Sequence, residues 1–479
     1  MQEKDLKDLV EKIISEKHEG KSIELKSAEY DCPKRLYDTL SSFSNQDDGG
    51  IIVFGVDEKN DYNLVGVYDP QDLQVQINNQ CKEMEPIVRP LITAPSVNGK
   101  YVVSAEIPGI EITQRPCYYK GKGKTRGSYI RVGESDEHMT DYEIYSYEAY
   151  RKKYQDDVRV VENASFDTIN QLAFEEYKIK CKKDKPNISQ VPDEKFNELL
   201  SITKKGKLTL ATVMLFGLYP QAYFPQLSII ATRVFGKETG SLGDNGERFI
   251  DNKRIDGSIP EMLDSALSFV RNNMKTSTII NPHTGKRFDK PEYPITAIRE
   301  VILNALVHRD YSFHTEGMPI QLIMYSDRIE VKNPGGLYGR LRIDQLGNTQ
   351  PDTRNPVLAV AMETMHLTEN RYSGIPTIRL EMKKAGLPAP KFEDVRGNFV
   401  VTLYNSVTEI AEDEIEKSIL DFCLVPRSRT EIANFLGIST TSYAINKYIK
   451  PLMKSGNIDI ENKERPNSPN QKYYTVAFG

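Results

Sequence analysis

Apolar and polar positions along residues 1–155 follow a pattern that predicts strands and helices in turn. Short apolar runs predict strands at 22–26, 51–56 and 128–132, and a helical period predicts helices at 33–45 and 72–84. The pair Asn98 and Gly99, between two apolar runs, predicts a tight hairpin turn. We therefore expect one α/β domain over residues 1–155.

The pattern changes twice in the rest of the chain. Residues 156–207 are rich in lysine and have a helical period, which predicts a helical connector. Apolar runs, a long amphipathic helix around residue 304, and a strand pair at 320–325 and 328–331 predict a second α/β domain over 208–406. Short helices and a polar hairpin predict a third domain over 407–479. The predicted class is a multidomain protein with α/β and α+β domains.

The long helix places two polar side chains on the face opposite its apolar stripe. The stripe consists of Ile298, Val301, Ile302, Ala305 and Leu306. At about 100° per residue, Glu300 and Asn304 fall together on the other side, one turn apart. A carboxylate can orient or deprotonate a water molecule, and an amide oxygen is a suitable ligand for Mg²⁺. The solvated face of an ordinary amphipathic helix has the same spacing, so both interpretations stay open on spacing alone.

Two glycine-containing elements after this helix predict a phosphate-binding arrangement. Gly335 and Gly336 end a strand, where glycines let the backbone approach a ligand closely. Ser373 and Gly374 precede a helix, whose free N–H groups and positive dipole end favour an anion. Residues 340–365 between them are long enough for a lid. Each element alone is weak evidence, and their order along the chain carries the prediction.

Composition and charge limit the classes of function. A chain of 479 residues is expected to form roughly two to four domains. The formal charge of −5 gives no overall attraction to nucleic acid or membrane, so a nucleic-acid surface must be a local patch. The five cysteines and six histidines are scattered, which argues against a zinc ribbon and a disulfide framework. Without a signal-peptide pattern or an apolar run of about 20 residues, we expect a cytoplasmic protein that does not enter a membrane.

Taken in order, four phrases over residues 209–404 resemble the GHKL (gyrase and histidine-kinase-like) ATPases. They are E-x-x-x-N-A-L-x-H-R-D-Y, NPGGL, RNP and SGI, and they match the divergent branch found in bacterial and archaeal transcriptional regulators. The resemblance implies ATP as the cofactor, Glu300 as the residue that polarises the attacking water, and Asn304 as the ligand of Mg²⁺ or Mn²⁺. The residues implied to bind the nucleotide are His308, Arg309, Asp310, Asn333, Gly335, Gly336, Arg354, Ser373 and Gly374.

One residue departs from the pattern of that family. Asn333 stands where the family usually has an aspartate that reads adenine. An amide oxygen still accepts a hydrogen bond from the adenine amino group, but more weakly than a carboxylate does. The nucleotide preference and the rate of hydrolysis therefore stay open.

The N-terminal domain carries acidic side chains at the ends of two predicted strands. Glu24 and Lys26 face the same side of the first strand, and Glu19 precedes it. Asp57 and Glu58 directly follow the apolar strand 51–56. Acids from neighbouring strand ends, together with a lysine, can hold a divalent ion against a phosphodiester. Such acids also serve simply to cap loops or to face solvent, which is the competing interpretation.

These acids stand in a pattern that resembles the Schlafen AlbA-type domain over residues 11–147. The pattern is E-x-x-x-x-E-[FLI]-K, then N-x-x-x-G-G-x-[IVL]-x-[IVLF]-G-V-D-[DE], and then YIRVG at 129–133. Some Schlafen proteins are RNA-cleaving nucleases that use three carboxylates, and other members are thought only to bind DNA. The resemblance implies Glu19, Glu24 and either Asp57 or Glu58 as catalytic acids, with Lys26 beside them. The implied metal ligands are Glu19, Glu24 and Asp57.

A glycine-rich loop of the same domain carries four positive charges. A flexible basic loop can follow a phosphate backbone and would make the affinity for nucleic acid depend on salt. Tyr118, Tyr119 and Tyr129 lie beside it in sequence and could stack on bases. A charged hairpin tip without a ligand is the alternative. The basic residues are Lys120, Lys122, Lys124 and Arg126.

Residues 407–479 resemble a winged helix-turn-helix domain. Residues 428–439 have the pattern of a helix and a turn, a third helix follows over 440–455, and two short strands complete the pattern. The resemblance implies that the third helix enters the DNA major groove and that Lys463 and Arg465 lie in the wing. Dimerisation or partner docking is the alternative role. The candidate DNA contacts are Thr440, Thr441, Ser442, Asn446 and Lys447.

Two hypotheses from different classes follow. The first is an ATP-responsive protein that binds RNA or DNA and is a metal-dependent nuclease of the cell-defence type, gated by the nucleotide domain. The second is a non-catalytic transcriptional regulator that senses ATP and binds DNA through the winged helix. The GHKL-like domain would be a weak ATPase or a degenerate scaffold, and we expect a homo-oligomer in either case.

Overall fold

The protein is described here by a computed structural model. The described residues are 1–18, 20–280, 287–349, 352–368 and 373–406, together with 416, 419–420, 422–436, 441–461, 463, 468 and 471–476. They form an N-terminal domain (residues 1–155), a central domain (156–406) and a C-terminal domain (407–479). Each is a mixture of helices and short strands.

The N-terminal domain is built around a four-stranded sheet. Its strand order is β1-β2-β9-β6, with β1 and β2 parallel and the other pairs antiparallel. The elements are α1 Glu3–Glu16, β1 Ile23–Lys26, α2 Tyr37–Ser44, β2 Gly50–Phe54, β3 Val56–Asp57, β4 Asn63–Leu64, α3 Pro70–Lys82, β5 Met84–Glu85, β6 Leu91–Thr93, β7 Ser96–Val97, β8 Lys100–Tyr101, β9 Val103–Ile107, β10 Tyr118–Tyr119, α4 Gly123–Gly127, β11 Tyr129–Val132, β12 Ser135–His138 and α5 Asp141–Lys152.

Apolar side chains of these strands point alternately to the two faces of the sheet, and each face packs against helices. Ile52 and Phe54 of β2 face a core shared with α2 and α3, whereas Val53 faces a second core shared with α1. The predicted strands and the hairpin at Asn98 and Gly99 are present, but α2 is shorter than the predicted helix. The chain from 33 to 36 lies outside α2.

The central domain contains a six-stranded mixed sheet with strand order β16-β15-β19-β20-β22-β21. The elements are α6 Gln171–Asp184, α7 Asp193–Leu199, β13 Thr203–Lys204, β14 Lys207–Leu208, α8 Leu210–Phe216, β15 Ile229–Arg233, β16 Asp251–Ile255, α9 Ile259–Asn273, β17 Thr276–Ile280, β18 Arg287–Pro291, α10 Ile295–His308, β19 Ile320–Met324, β20 Arg328–Pro334, α11 Pro356–Thr364, α12 Gly374–Lys384, β21 Lys391–Val395 and β22 Asn398–Tyr404.

Residues 156–207 form part of the central domain. Phe174 and Tyr177 of α6 and Phe196 of α7 belong to the same buried cluster as the apolar stripe of α10 and the inner face of the sheet. The helices predicted for this segment are present. Because they share one core with residues 208–406, the segment packs as an integral layer, whereas we expected a connector between domains.

The C-terminal domain is described in part. Its elements are β23 Arg427–Ser428, α13 Arg429–Phe435, α14 Thr441–Ala444, a π-helical turn Ile445–Ile449, α15 Lys450–Lys454, β24 Ile458–Ile460 and β25 Lys472–Thr475. The strands form a small antiparallel sheet in the order β23-β25-β24. The winged helix stays a prediction. Across the described parts of all three domains, every helix is too short or too polar to cross a bilayer.

Candidate functional site

A cavity of about 310 Å³ lies between the sheet of the central domain and helices α10, α11 and α12. Strands β20 and β22 form one wall, and the loop that joins β20 to α11 closes one side. Residues predicted from sequence to bind a nucleotide converge here from four separate stretches of the chain. Those that line the cavity are Glu300, Asn304, His308, Asn333, Gly335, Gly336, Arg354, Ser373 and Gly374.

Asn333 lies on the buried wall of this cavity, near the end of β20. Its side chain is only 4% exposed, and Val331, Phe399 and Val401 form the apolar surface around it. Within the described part of the chain, its Oδ1 atom has no hydrogen-bond partner. A buried polar atom without a partner costs free energy unless a ligand or water satisfies it. The wall therefore fits a flat apolar group that carries a polar edge, such as a nucleobase.

Another part of the cavity lining combines Asn304 with the N-terminus of α12. A Cβ atom at Gly374 would lie 2.8 Å from Asn304 Nδ2, so the backbone passes directly against this amide. Among the described residues, Asn304 Nδ2 is buried without a hydrogen-bond partner. Ser373 leads into α12, and its side chain makes no capping hydrogen bond there. Free backbone N–H groups and an unsatisfied amide are suitable partners for phosphate oxygens.

Glu300 lies one turn before Asn304 and also lines the cavity. Its Oε1 atom forms an ion pair with Arg299 NH1 at 3.0 Å. The two predicted side chains therefore share the polar face of α10, whose apolar stripe is buried as predicted. Glu300 and Asn304 could together hold a hydrated Mg²⁺ beside a bound phosphate.

The glycine pair after β20 is required by close packing. Gly335 has φ +105°, which side-chain-bearing residues rarely adopt, and a Cβ atom there would overlap the guanidinium of Arg354. A Cβ atom at Gly336 would lie 2.6 Å from Asp394 Oδ1. The backbone at this turn thus lets Arg354 reach the cavity, where it is buried and forms an ion pair with Asp310 at 3.3 Å.

Arg309 and Asp310, which were also predicted to bind the nucleotide, lie outside the cavity lining. The buried Arg309 guanidinium donates to the carbonyl oxygens of Thr315 and Met318, and thus holds the loop after α10 together. Asp310 accepts a hydrogen bond from Tyr142 in the N-terminal domain at 2.7 Å. Burial opposes ionisation of Asp310, but the charge of Arg354 and the hydrogen bonds from Ser312 and Tyr142 outweigh it and keep its pKa below the ordinary value.

His308 lines the cavity and is exposed toward it. Loss of hydration among the surrounding protein atoms, together with the positive charge of Arg354, lowers the pKa of His308 to about 4. At neutral pH the imidazole is therefore uncharged, with one ring nitrogen able to donate and the other to accept a hydrogen bond.

Two buried residues that the sequence analysis did not single out stabilise the helix ends beside the cavity. Asn355 is fully buried, and its Nδ2 atom donates to the carbonyl oxygens of Val307 at 2.8 Å and Arg309 at 2.7 Å. Asp157, also fully buried, accepts hydrogen bonds from the first backbone N–H groups of α11. Asn355 belongs to the phrase RNP quoted above, so the sequence did contain a signal for this residue. No local sequence pattern points to Asp157.

The N-terminal acids lie in a different environment. The Glu24 carboxylate contacts Lys26 Nζ at 2.5 Å and Arg131 NH1 at 2.8 Å, so a cation pairs with each of its oxygens. Arg131 is buried and also forms an ion pair with Asp136 at 3.0 Å. Glu24 and Lys26 share a strand face as predicted, and the network ties β1 to β11.

The other predicted acids are not brought into this network by any contact in the structure. Asp57 accepts a hydrogen bond from the backbone of Lys59 at 3.2 Å and caps a short turn, and Glu58 is exposed. Glu19 lies outside the described residues. Among the described residues, no three histidine, cysteine or carboxylate side chains converge in a way that could hold a metal ion.

The basic loop is exposed to solvent at three of its four charged positions, and Lys124 is half-buried. Lys122 Nζ lies 4.7 Å from the ring centre of Tyr37, and Lys120 forms an ion pair with Glu85 at 3.5 Å. The tyrosines are less available than expected: Tyr129 is 3% exposed, and Tyr119 stacks on Tyr37 with ring centres 4.4 Å apart. Charge is therefore the main feature that this surface offers a nucleic acid. The exposed charged residues are Lys120, Lys122 and Arg126.

The predicted contacts of the C-terminal domain are described unevenly. Thr441 and Lys447 are half-buried and Asn446 is exposed, all on the helix that follows α13. Lys463 is exposed and pairs with Asp459 at 2.7 Å. Their role in binding DNA stays a prediction. Thr440, Arg465 and the side chain of Ser442 lie outside the described residues.

The fold defines a multidomain α/β protein with a largely apolar cavity in its central domain, and comparison with known families gives the domain identities. Residues 19–140 match the family described as "Schlafen, AlbA_2", and residues 317–403 match the one described as "Putative ATP-dependent DNA helicase recG C-terminal". Residues 147–230 match a "Domain of unknown function (DUF8451)". The chain therefore carries a Schlafen AlbA_2 domain and an ATPase-like domain of the RecG C-terminal type, which confirms the two resemblances seen in the sequence.

Two solved structures are also similar. The DIP2311 protein from Corynebacterium diphtheriae is 18% identical, with 99% of this chain and 97% of that chain covered and a TM-score of 0.40. The N-terminal domain of the "Putative ATP-dependent DNA Helicase RecG-related Protein" from Nitrosomonas europaea is 30% identical, with 28% of this chain and 92% of that chain covered and a TM-score of 0.23. The comparison with curated proteins found no match.

Proposed function

We propose that this protein binds ATP with Mg²⁺ in the central cavity and that the nucleotide controls how the AlbA_2 domain binds nucleic acid. The observation that carries the proposal is the cavity itself. Two of its buried polar atoms have no hydrogen-bond partner among the described residues: Asn333 Oδ1 on the sheet wall and Asn304 Nδ2 on α10. A nucleotide suits such a lining, since its base and its phosphates can satisfy separate polar atoms in a largely apolar enclosure.

Contacts between the two domains support a nucleotide response. Arg354 lines the cavity and pairs with Asp310, and Asp310 accepts the hydroxyl of Tyr142 from α5 of the AlbA_2 domain. A second link joins Tyr150 of α5 to Asp352, another cavity residue, at 3.0 Å. A nucleotide bound in the cavity would compete with Asp310 for Arg354 and so weaken or shift the first link. A ligand that binds two arrangements of such a contact unequally shifts the equilibrium between them.

The environment of Glu24 favours binding of nucleic acid over its cleavage. Both carboxylate oxygens are paired with the cations of Lys26 and Arg131. A carboxylate that neutralises a buried arginine is a poor metal ligand, because the metal would have to displace that cation and leave it buried without a partner. We therefore favour binding of nucleic acid without cleavage as the role of this domain.

The proposal is tested by fluorescence anisotropy with labelled single-stranded RNA, single-stranded DNA and duplex DNA, with and without ATP and Mg²⁺. We expect ATP to change the Kd for at least one probe by about fivefold or more, a usual size of coupling between two sites. Tyr142→Phe should reduce this change while the affinity for ATP, measured by calorimetry, is retained. Tyr101→Phe on an exposed strand is the matched control.

Two results would contradict the proposal. If Asn304→Ala binds Mg-ATP as tightly as the wild type does, the cavity is not the ATP site. If ATP leaves the Kd of every probe unchanged, the nucleotide does not control nucleic-acid binding. The same mixtures, run on denaturing gels with Mg²⁺ or Mn²⁺, test the competing function: cleavage that Glu24→Gln abolishes would establish the nuclease.

A further inference from the structure

The side chain of Asn333 is the one polar group on the apolar wall whose orientation the protein leaves open, as far as the described residues go. It is 4% exposed and makes no hydrogen bond with any described residue. An amide has a donor end and an acceptor end of nearly the same shape, so a half turn about its last bond exchanges them. With no protein partner to hold either end, Asn333 can present whichever atom a ligand requires.

The carboxylates that line the cavity do not have this freedom. Glu300 is paired with Arg299 at 3.0 Å, and Asp352 accepts the hydroxyl of Tyr150 at 3.0 Å. The wall around Asn333 is formed by carbon atoms of Val331, Phe399 and Val401, which contact any purine equally well. Hydrogen bonding at Asn333 is therefore the feature of this wall that can distinguish one purine from another.

We propose that the cavity accepts adenine and guanine nucleotides alike, with Asn333 as the residue that permits both. The proposal rests on the proposed function, in which the cavity binds a nucleotide. Adenine carries an amino group at position 6, which donates to Asn333 Oδ1. Guanine carries a carbonyl oxygen at the same position, which accepts from Asn333 Nδ2. A carboxylate at residue 333 could only accept, and it would repel the guanine oxygen.

The experiment measures the Kd of ATP and of GTP by calorimetry in the presence of Mg²⁺, for wild type and Asn333→Asp. We expect the wild type to bind both within about fivefold of each other, because either base satisfies the amide. The Asn333→Asp protein should prefer ATP by about tenfold or more, mainly through loss of GTP binding, since a buried unpaired acceptor is costly. Asn348→Asp adds the same charge at an exposed position outside the cavity lining and should leave the ratio near that of the wild type.

The outcomes separate the two proposals. A wild type that binds ATP at least about thirtyfold more tightly than GTP overturns the base inference and leaves the ATP site intact. The same holds if Asn333→Asp folds, binds ATP and keeps the ratio of the wild type. A wild type that binds neither nucleotide removes the proposed function itself. If Asn333→Asp does not fold, the ratio in the wild type alone decides.

Discussion

Removal of the Asn355 side-chain amide should unfold the central domain at a clearly lower temperature. This amide donates two buried hydrogen bonds, to the carbonyl oxygens of Val307 and Arg309 at the C-terminal end of α10. In Asn355→Ala both carbonyls lose their donor in an interior position. An unsatisfied buried acceptor costs about 1–3 kcal/mol, so the two together cost about 2–6 kcal/mol. For a domain of this size, that corresponds to a fall in Tm of about 10 °C.

The assay is thermal unfolding followed by circular dichroism, with Asn272→Ala at an exposed position near the end of α9 as the control. The control should stay within about 0.5 kcal/mol of the wild type. Asn355→Asp separates hydrogen bonding from volume, because aspartate fills the same space but cannot donate when ionised. We expect it to be at least as destabilising as the alanine variant. A Tm for Asn355→Ala equal to that of the control, or an aspartate variant close to the wild type, would refute the reasoning.

Three further outcomes follow from the structure. Gly374→Ala should weaken ATP binding by about tenfold in calorimetry, because its Cβ atom would press against Asn304 at 2.8 Å, while Gly240→Ala, where a Cβ atom meets open space, should not. Burial raises the pKa of Asp157 to about 6. The folded state therefore holds this proton more tightly than the unfolded state does, and the free energy of unfolding falls as the proton is lost. Denaturant unfolding should show that the wild type loses up to about 3 kcal/mol relative to Asp157→Asn as the pH rises from 4 to 7. Arg126→Ala removes an exposed charge of the basic loop and should lower the slope of log Kd for nucleic acid against log salt by about 0.7–0.9, and an unchanged slope would place the loop outside the interface.

Much of the nucleotide site could be predicted from the sequence, because its parts are local patterns. The stripe of α10 follows a helical period, Gly335 has a backbone conformation that few other residues adopt, and Gly374 leaves no room for a Cβ atom beside Asn304. The resemblance of these ordered patterns to the GHKL ATPases implied that Asn304 and Asn333 belong to one site, and both line the cavity. Each of these patterns specifies a local backbone conformation, which a sequence can reveal. The sheet then brings the segments that carry these patterns together around the cavity.

Contacts across long stretches of chain could not be predicted in the same way. Arg309 and Asp310 belong to the motif helix phrase, but the chain turns after His308, and their side chains serve the loop and the domain contact. The helical period of α6 predicted a helix without predicting which core it would join. Tyr142 has no pattern that connects it to Asp310, because the pairing depends on how two separate domains pack.

The cap that Asp157 supplies to α11 has a practical consequence for dissecting the protein. The helix and its cap lie two hundred residues apart in the sequence, and the phenylalanines of α6 and α7 fill the same interior. A recombinant fragment that starts at residue 208 would expose that interior and leave α11 uncapped beside the cavity. The smallest unit suited to isolated biochemistry therefore starts near residue 156, well before the stretch that family matching assigns to the ATPase-like domain.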